Sequence, residues 1–407
     1  MEFPFVKIES PKDYTIKPEK YFDYYSKLYP FKLVINWLCR NDIKLLKNRE
    51  LCLTNQKDRY IRYQSFTSVT QFRNRIIKLI PIKIDVGAIY NDEPRYYNEH
   101  KQITDLIFQE KELIFDIDMS DYDEVRTCCT GADICSKCWK YIICGAKILD
   151  RILKEDFGFE KYFFDFSGRR GIHCWVCDKK ACKLNINERQ MIESYILYDR
   201  INDESMKSRL KRRIKKRKFV EPIYPSYLDD LSIVKNDFYV IIKEQDLLNY
   251  ENIKKLFKDI IKMYFCLIDM EPIDDILNKK IDSLKKLNKI HEFLRKAEEI
   301  LNKNNITYCH SESCINEFIM SILSPRLDWM VTRQPEHLLK GPFCVHPKTG
   351  FISVPMSLDL LLKFDLNKIP KIDNLLDKDN NNSNINYFNE YIQYFENFVK
   401  NLNNNDI

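Results

Sequence analysis

In Glu110–Asp123, E-K-E-L-I-F-D-I-D-M-S-D-Y-D, apolar and acidic residues alternate. Successive side chains of a strand point to opposite faces, so Ile114, Asp116 and Asp118 share one face and Leu113, Phe115 and Ile117 the other. The apolar face anchors the strand in a core. Two carboxylates on the other face lose hydration and repel each other unless a cation or a basic group lies between them. A divalent metal is the simplest remedy.

Upstream, Tyr21–Arg40 reads as one or two helices broken near Pro30, with an aromatic face of the kind that packs into a core. Glu50–Phe66 reads as a hairpin turning at Asn55–Asp58, with Tyr60, Arg62 and Gln64 on one face. Arg62 is then either a cation offered to a ligand or the partner of an acid such as Glu50. Ile77–Tyr90 reads as another strand, with Asp85 close to its end.

Downstream comes C-C-T-G-A-D-I-C-S-K-C-W, holding Cys128, Cys129, Cys135 and Cys138. The C-x-x-C pair bends around one tetrahedral zinc ion and the upstream pair completes a four-thiolate set, with Cys144 as a substitute ligand. Lys137, Asp133 and Gly131 make this segment too polar for a core run. Cys174, Cys177 and Cys182 form a weaker set, because Cys174 and Cys177 face opposite sides of a strand and read as core thiols.

Tyr141–Phe159 reads as a helix ending at Gly158, followed by the strand K-Y-F-F-D-F and the loop S-G-R-R-G. Gly168 and Gly171 permit tight turning and close backbone approach, while Ser167, Arg169 and Arg170 are donors suited to phosphate oxygens. His173 adds another. Farther on, Asp328 follows a helix interrupted by Pro325, and Leu338–Pro355 is an extended segment punctuated by Lys340, His346 and Lys348.

Between these parts, from about Asn185, the composition turns helical. Ile253, Leu256, Phe257, Ile260, Ile261 and Tyr264 follow helical spacing, as do Leu287, Ile290 and Leu294. Met206–Lys218 is a basic run that suits nucleic acid, a nuclear address or a solvated helix face equally. Asn380–Asn384 reads as a disordered linker before an amphipathic helix from about Tyr387 to Leu402.

The 407 residues suffice for two or three substructures, and no apolar run approaches the ~20 residues of a membrane-spanning helix. The N-terminus lacks the pattern of a secretory signal, so an intracellular protein is expected, its 14 cysteines serving as metal ligands or core residues. A net charge of +6 permits a polyanionic partner without arguing for one. The acid pair, the Gly-Arg loop and the Lys/His segment together suit two-metal phosphoryl chemistry. A nuclease would need the same acids but less triphosphate-directed basic equipment, so nucleotidyl transfer is favoured.

The segments E-L-I-F-D-I-D-M-S-D-Y-D, C-C-T-G-A-D-I-C-S-K-C-W, F-S-G-R-R-G-I-H-C-W-V-C-D and L-L-K-G-P-F-C-V-H-P-K-T-G-F-I-S-V-P closely resemble the catalytic small subunits of eukaryotic DNA primases, as do Y-I-R-Y-Q-S-F and K-I-D-V-G-A-I-Y. The resemblance runs from about Lys20 to Gln190 and again from about Ser313 to Pro355. It implies an α+β fold: a mixed-sheet primase catalytic core with a zinc motif and an inserted helical subdomain. The expected division is 1–190 (core, zinc motif 128–138), 191–307 (helical) and 308–407 (core, with the 380–384 linker and terminal helix). The implied activity is synthesis of short RNA primers on single-stranded DNA.

By the same resemblance, Asp116, Asp118 and Asp328 would hold catalytic Mg2+ or Mn2+, with Glu50 also in the active site. Ser167, Gly168, Arg169, Arg170, Gly171, His173, Lys340 and His346 would hold the incoming ribonucleoside triphosphate, with Arg62 and Asp85 nearby. Cys128, Cys129, Cys135 and Cys138 match the zinc ligands, a structural site. The implied partners are a large primase subunit with an iron-sulfur cluster and, through it, DNA polymerase α with its accessory subunit, in the nucleus. A primase-like repair polymerase and a non-catalytic nucleic-acid scaffold are the alternatives.

Overall fold

The computed structural model describes residues 5–9, 14–99, 106–197, 225–304, 310–377 and 381–403. The basic run Met206–Lys218 lies outside them. The chain forms two compact units, one of Met1–Asp118, Gly158–Glu193 and Leu327–Ile407, the other of Met119–Phe157 and Ser194–Arg326. These boundaries differ from the expected breaks after 190 and 307, because the segment that follows the acid strand packs with the helical residues. Its helix Ser136–Arg151 is tied to the helix Pro225–Glu244 by Lys147 on Asp237 at 2.7 Å and by the buried pair Arg151 and Asp230.

The first unit holds two sheets, and the helices and sheets together make an α+β chain. One sheet has four strands in the order Pro355–Met356, Tyr162–Phe166, Gly171–Val176 and Leu113–Asp118. The other orders Leu339–Lys340, Lys83–Tyr90, Arg49–Thr54 and Tyr60–Gln64, with Phe108–Glu110 also on Lys83–Tyr90. A mixed sheet was expected, but every pairing in these two sheets is antiparallel. Short turns such as 55–59 and 167–170 can join only antiparallel neighbours.

Helices Pro18–Lys27 and Phe31–Leu38 are separate, split at Pro30, and the first buries Tyr21, Tyr24 and Tyr25. Tyr24 donates its hydroxyl to the Phe343 carbonyl at 2.8 Å, so the aromatic face is core. Trp37 lies 5.1 Å from Trp175 and 5.7 Å from Phe163, and Phe395 closes the cluster 5.1 Å from Phe163. Beside the acid strand, fully buried Arg49 forks onto Glu112 with contacts of 2.9 and 2.7 Å, joining the Arg49–Thr54 strand to the approach to Asp116.

Three local expectations are corrected. Ile77–Tyr90 is not one strand: Val69–Leu79 is a helix, capped by Ser68, whose Oγ accepts the Gln71 N–H at 3.1 Å, and the strand starts at Lys83. Phe72 and Ile76 are buried one turn apart, and Ile80, left-handed at φ 49°, and Pro81 end the helix. The Asn-rich tract is not a linker from Asn381 onward, since Asn381–Lys400 is one helix followed by a 3-10 turn, Asn401–Asn403; Asn380 lies outside the described residues. Burial of Phe388, Tyr391, Phe395 and Val399 at helical spacing draws those asparagines into the first turns. In the hairpin, a register shift at Leu51/Leu53 and Tyr63 at φ 56° interrupt the simple alternation expected for Tyr60, Arg62 and Gln64.

The second unit is helical. Pro225–Glu244, Glu251–Tyr264, Ser283–Lys303 and Ser311–Leu323 pack around Phe238, Phe257 and Phe318, the last two stacked at 4.2 Å. The helix expected from Tyr141 begins earlier, at Ser136, and continues as a π-helical turn, Ile152–Asp156, before Gly158 at φ +60°. Among the described residues no helix is long and apolar enough to cross a membrane.

Candidate active site

The four-stranded sheet sets Asp116 opposite His173 and Asp118 opposite Gly171. Both acids keep partial exposure, while Ile114, Phe115 and Ile117 are buried. His173 Nε2 lies 3.9 Å from Asp116 Oδ1. Gly171 is required here, since a Cβ would stand 2.3 Å from the Ile117 carbonyl oxygen. The close approach delivers Arg170, whose Nε donates to both Asp118 oxygens at 2.7 and 2.8 Å.

Asp328 reaches the same strand through the backbone. Leu327 bridges Ile117, and the Asp328 N–H donates to the Asp116 carbonyl at 3.1 Å. Its carboxylate accepts the Met330 N–H at 2.9 Å, capping the short helix Trp329–Arg333. Asp116 and Asp118 thus stand on one strand and Asp328 is tied to it through the backbone, with the Asp118 carboxylate held by Arg170 and that of Asp328 by the Met330 N–H.

The loop between the strands is clasped from the other side. Ser167 Oγ accepts the Gly171 N–H at 3.2 Å, Thr349 Oγ1 donates to the Gly168 carbonyl at 2.7 Å, and the Lys340 ammonium donates to the Ser167 carbonyl. Gly168 sits at φ +84°, where an added Cβ would meet His346 Cβ at 2.9 Å and Lys340 Nζ at 3.0 Å. Ser167 and Gly168 are therefore packed against Lys340 and His346, while Arg170 and Gly171 lie against the Asp118 end of the acid strand. The segment Leu338–Pro355 is only partly extended: Leu339–Lys340 pairs with Lys83–Tyr90, and Val345 bridges Ile352.

Lys340 is the electrostatic hinge of this group. It pairs in register with Asp85, and its charge acts on Asp85, Asp165, His173 and His346. Burial depresses its ammonium, opposed by Cys344 and then by Asp165 and Asp85. Burial raises the Asp85 carboxyl to about 6 despite Lys83 and Lys340. Burial, then Lys340, lowers His173 to about 3, and burial, Lys340 and Arg169 lower His346 to about 2. Both imidazoles are neutral at physiological pH, donors of a hydrogen bond rather than of charge.

Glu50 and Arg62 form a second group. Glu50 is fully buried and accepts Arg62 Nε at 3.0 Å, the Tyr63 N–H at 3.3 Å and the Tyr90 hydroxyl at 3.3 Å. Of the two readings of Arg62, the acid partner is the one observed. Asp165 escaped sequence reasoning; its only signal is register, since a strand ending at the 167–171 loop sets residue 165 against residue 173.

The second unit carries the thiols. The sulfurs of Cys128, Cys129, Cys135 and Cys138 lie within 4.8 Å of one another, and those of Cys135 and Cys138 are 3.8 Å apart. Tetrahedral zinc with Zn–S bonds of about 2.3 Å separates its sulfurs by about 3.8 Å. Arg126 holds the loop by donating to the Gly131 and Asp133 carbonyls at 2.9 and 2.8 Å, and the Cys135 N–H points at Cys138 Sγ at 3.1 Å. The group fits a zinc ion. Cys144 is buried outside this cluster, and Cys174, Cys177 and Cys182 are buried, with Cys177 accepting from Trp37 Nε1 at 3.5 Å.

A family model described as "DNA primase small subunit" matches residues 115–358. The chain is 34% identical to the DNA primase small subunit of Saccharomyces cerevisiae over 94% of its own length and 91% of the yeast protein. It is 34% identical to the Drosophila melanogaster protein of that name, over 87% and 80% of the two chains. The small subunit PriS of Sulfolobus acidocaldarius is 29% identical over 34% of this chain and 48% of its own.

Proposed function

The chain belongs to the DNA primase small subunit family, and from that premise we propose that it joins ribonucleotides into short RNA primers on single-stranded DNA by metal-assisted nucleotidyl transfer. The observation that supports the reading is the placement of Asp116 and Asp118 on one strand, with Asp328 hydrogen-bonded to that strand through its backbone and the Gly-Arg loop joined to it by Arg170.

Asp116, Asp118 and Asp328 would hold Mg2+ or Mn2+. The chemistry those ions supply when bound is activation of the attacking 3'-hydroxyl and neutralisation of the departing pyrophosphate. Ser167, Arg169, Arg170, Lys340 and the neutral His173 and His346 would grip the triphosphate, with the backbone of Gly168 and Gly171 allowing its close approach. Arg170, held on Asp118 before nucleotide arrives, would orient that acid and donate to phosphate. Glu50, Arg62 and Asp85 would shape the neighbouring wall. Their shared work is positioning and electrostatic stabilisation of charge on the leaving group.

The four thiolates leave no ligand position open, so a zinc ion there would be structural. Family membership implies a complex with a large primase subunit and a DNA template in the nucleus. Within that complex, DNA polymerase α and its accessory subunit would receive the primer. The domain reading that goes with this function is a sheet unit doing the chemistry and a helical unit carrying the zinc.

The test is dinucleotide formation on a single-stranded template by D116A and D118A chains. Loss by more than about a hundredfold with folding retained is expected. Substantial residual synthesis would overturn the reading, and a preference for deoxyribonucleotides would point to a repair polymerase.

A further inference from the structure

Asp165 lies in the middle of the four-stranded sheet with no exposure, and neither carboxyl oxygen has a hydrogen-bond partner among the described residues. His173, its cross-strand neighbour, has an unpartnered Nδ1 turned toward it, 3.9 Å from Asp165 Oδ2. The other ring nitrogen, Nε2, faces Asp116 at 3.9 Å. A buried carboxyl without a partner is costly, and an apolar residue of similar shape would serve the sheet better.

We propose that Asp165 is a positioning residue, holding the His173 ring with Nδ1 inward and Nε2 toward Asp116 and the phosphate oxygens of a bound nucleotide. The inference rests on the nucleotidyl-transfer reading above. An imidazole presents a nitrogen on each side, and which one carries hydrogen is set by what the other meets. Asp116 accepts hydrogen bonds, so the N–H belongs on Nε2. Nδ1 is then an acceptor, and the enclosed Asp165 carboxyl supplies the donor as the 3.9 Å gap closes on nucleotide binding. Without Asp165 the Nδ1 side of the ring faces no donor among the described residues, and the orientation rests on Asp116 alone.

The experiment compares wild-type, D165V, D165N and H173A chains and the D165V/H173A double variant. Melting temperature is read first, then the affinity for ATP with Mg2+ by calorimetry without template. D165V should melt no lower than wild type yet bind nucleotide about tenfold more weakly. D165N, whose amide can donate to Nδ1, should recover most of that loss. In the H173A background D165V should add less than about twofold, because the effect passes through the ring.

Nucleotide binding by D165V within twofold of wild type would overturn the inference alone, as would penalties that multiply in the double variant. A marked fall in the melting temperature of D165V would show the carboxyl to be satisfied within the sheet, and would also overturn it. Failure of the wild type to bind nucleotide would overturn the nucleotidyl-transfer reading and this inference together.

Discussion

Arg170 Nε lies 2.7 and 2.8 Å from the two carboxylate oxygens of Asp118. The contact restrains the acid, and the guanidinium has four further N–H bonds with which to reach a phosphate. R170A should lower kcat/KM for nucleotide incorporation about a hundredfold. R170K should recover only part of it, since an ammonium keeps the charge but lacks the planar fork. Steady-state incorporation on a homopolymer template measures both.

Lys340 is paired with Asp85 in one sheet and donates to the loop of the other. K340M should raise the KM for triphosphate by about tenfold or more and lower the melting temperature, because Asp85 loses its cation and the Ser167 carbonyl its donor. Equal KM in variant and wild type would remove Lys340 from the nucleotide site.

The thiol cluster predicts about one zinc per chain by metal analysis of the purified protein. C135S should bring the content close to zero and lower the melting temperature, because metal-binding energy at such a site is folding energy. A folded wild-type chain free of metal would refute the assignment.

Acid stability has a marker in Glu112. Burial alone would raise its carboxyl, but the Arg49 fork outweighs it and holds the group down at about 2 instead of 4.5. A depressed acid contributes stability that is complete above about pH 4.5 and is lost as pH falls toward 2. The loss should be on the order of 3 kcal/mol. Denaturant midpoints across that window should be flatter for E112Q, which should also be less stable than wild type at pH 7, where Arg49 is left unpaired.

Where a pattern repeats within a few residues, the sequence was informative. Alternation marked Leu113–Asp118, Pro30 separated two helices, and the spacing of Ile253 to Tyr264 and of Leu287 to Leu294 found the helices Glu251–Tyr264 and Ser283–Lys303. The errors fell where two patterns overlap. I-K-L-I suits a strand or a helix end, and the Ser68 cap with buried Phe72 and Ile76 decides for the helix. Asparagines suggest a linker until the aromatic stripe that follows them is buried.

The site was legible as residue types and opaque as an arrangement. Arg170 reads from its loop as a phosphate donor, and its hold on Asp118 follows from a backbone approach that Gly171 permits. Arg62 could not be assigned between ligand and acid because its bond to Glu50 depends on the bulged pairing of two strands. Asp165 was hidden among aromatic neighbours and gained meaning only from register.

The acids of the Asp116 strand reach their neighbours at very different costs in chain closure. Asp116 and Asp118 are placed by pairing with Gly171–Val176, a loop of some tens of residues, whereas Asp328 docks on Asp116 across roughly 200 residues. Closure entropy grows as about (3/2)RT ln n, so the longer loop costs about 1 kcal/mol more and has few local contacts to speed it. During refolding the sheet should form before Asp328 docks, and activity should return later than secondary structure. A mutation within the residues spanned by that longer loop would then show first as delayed competence rather than as a lost fold.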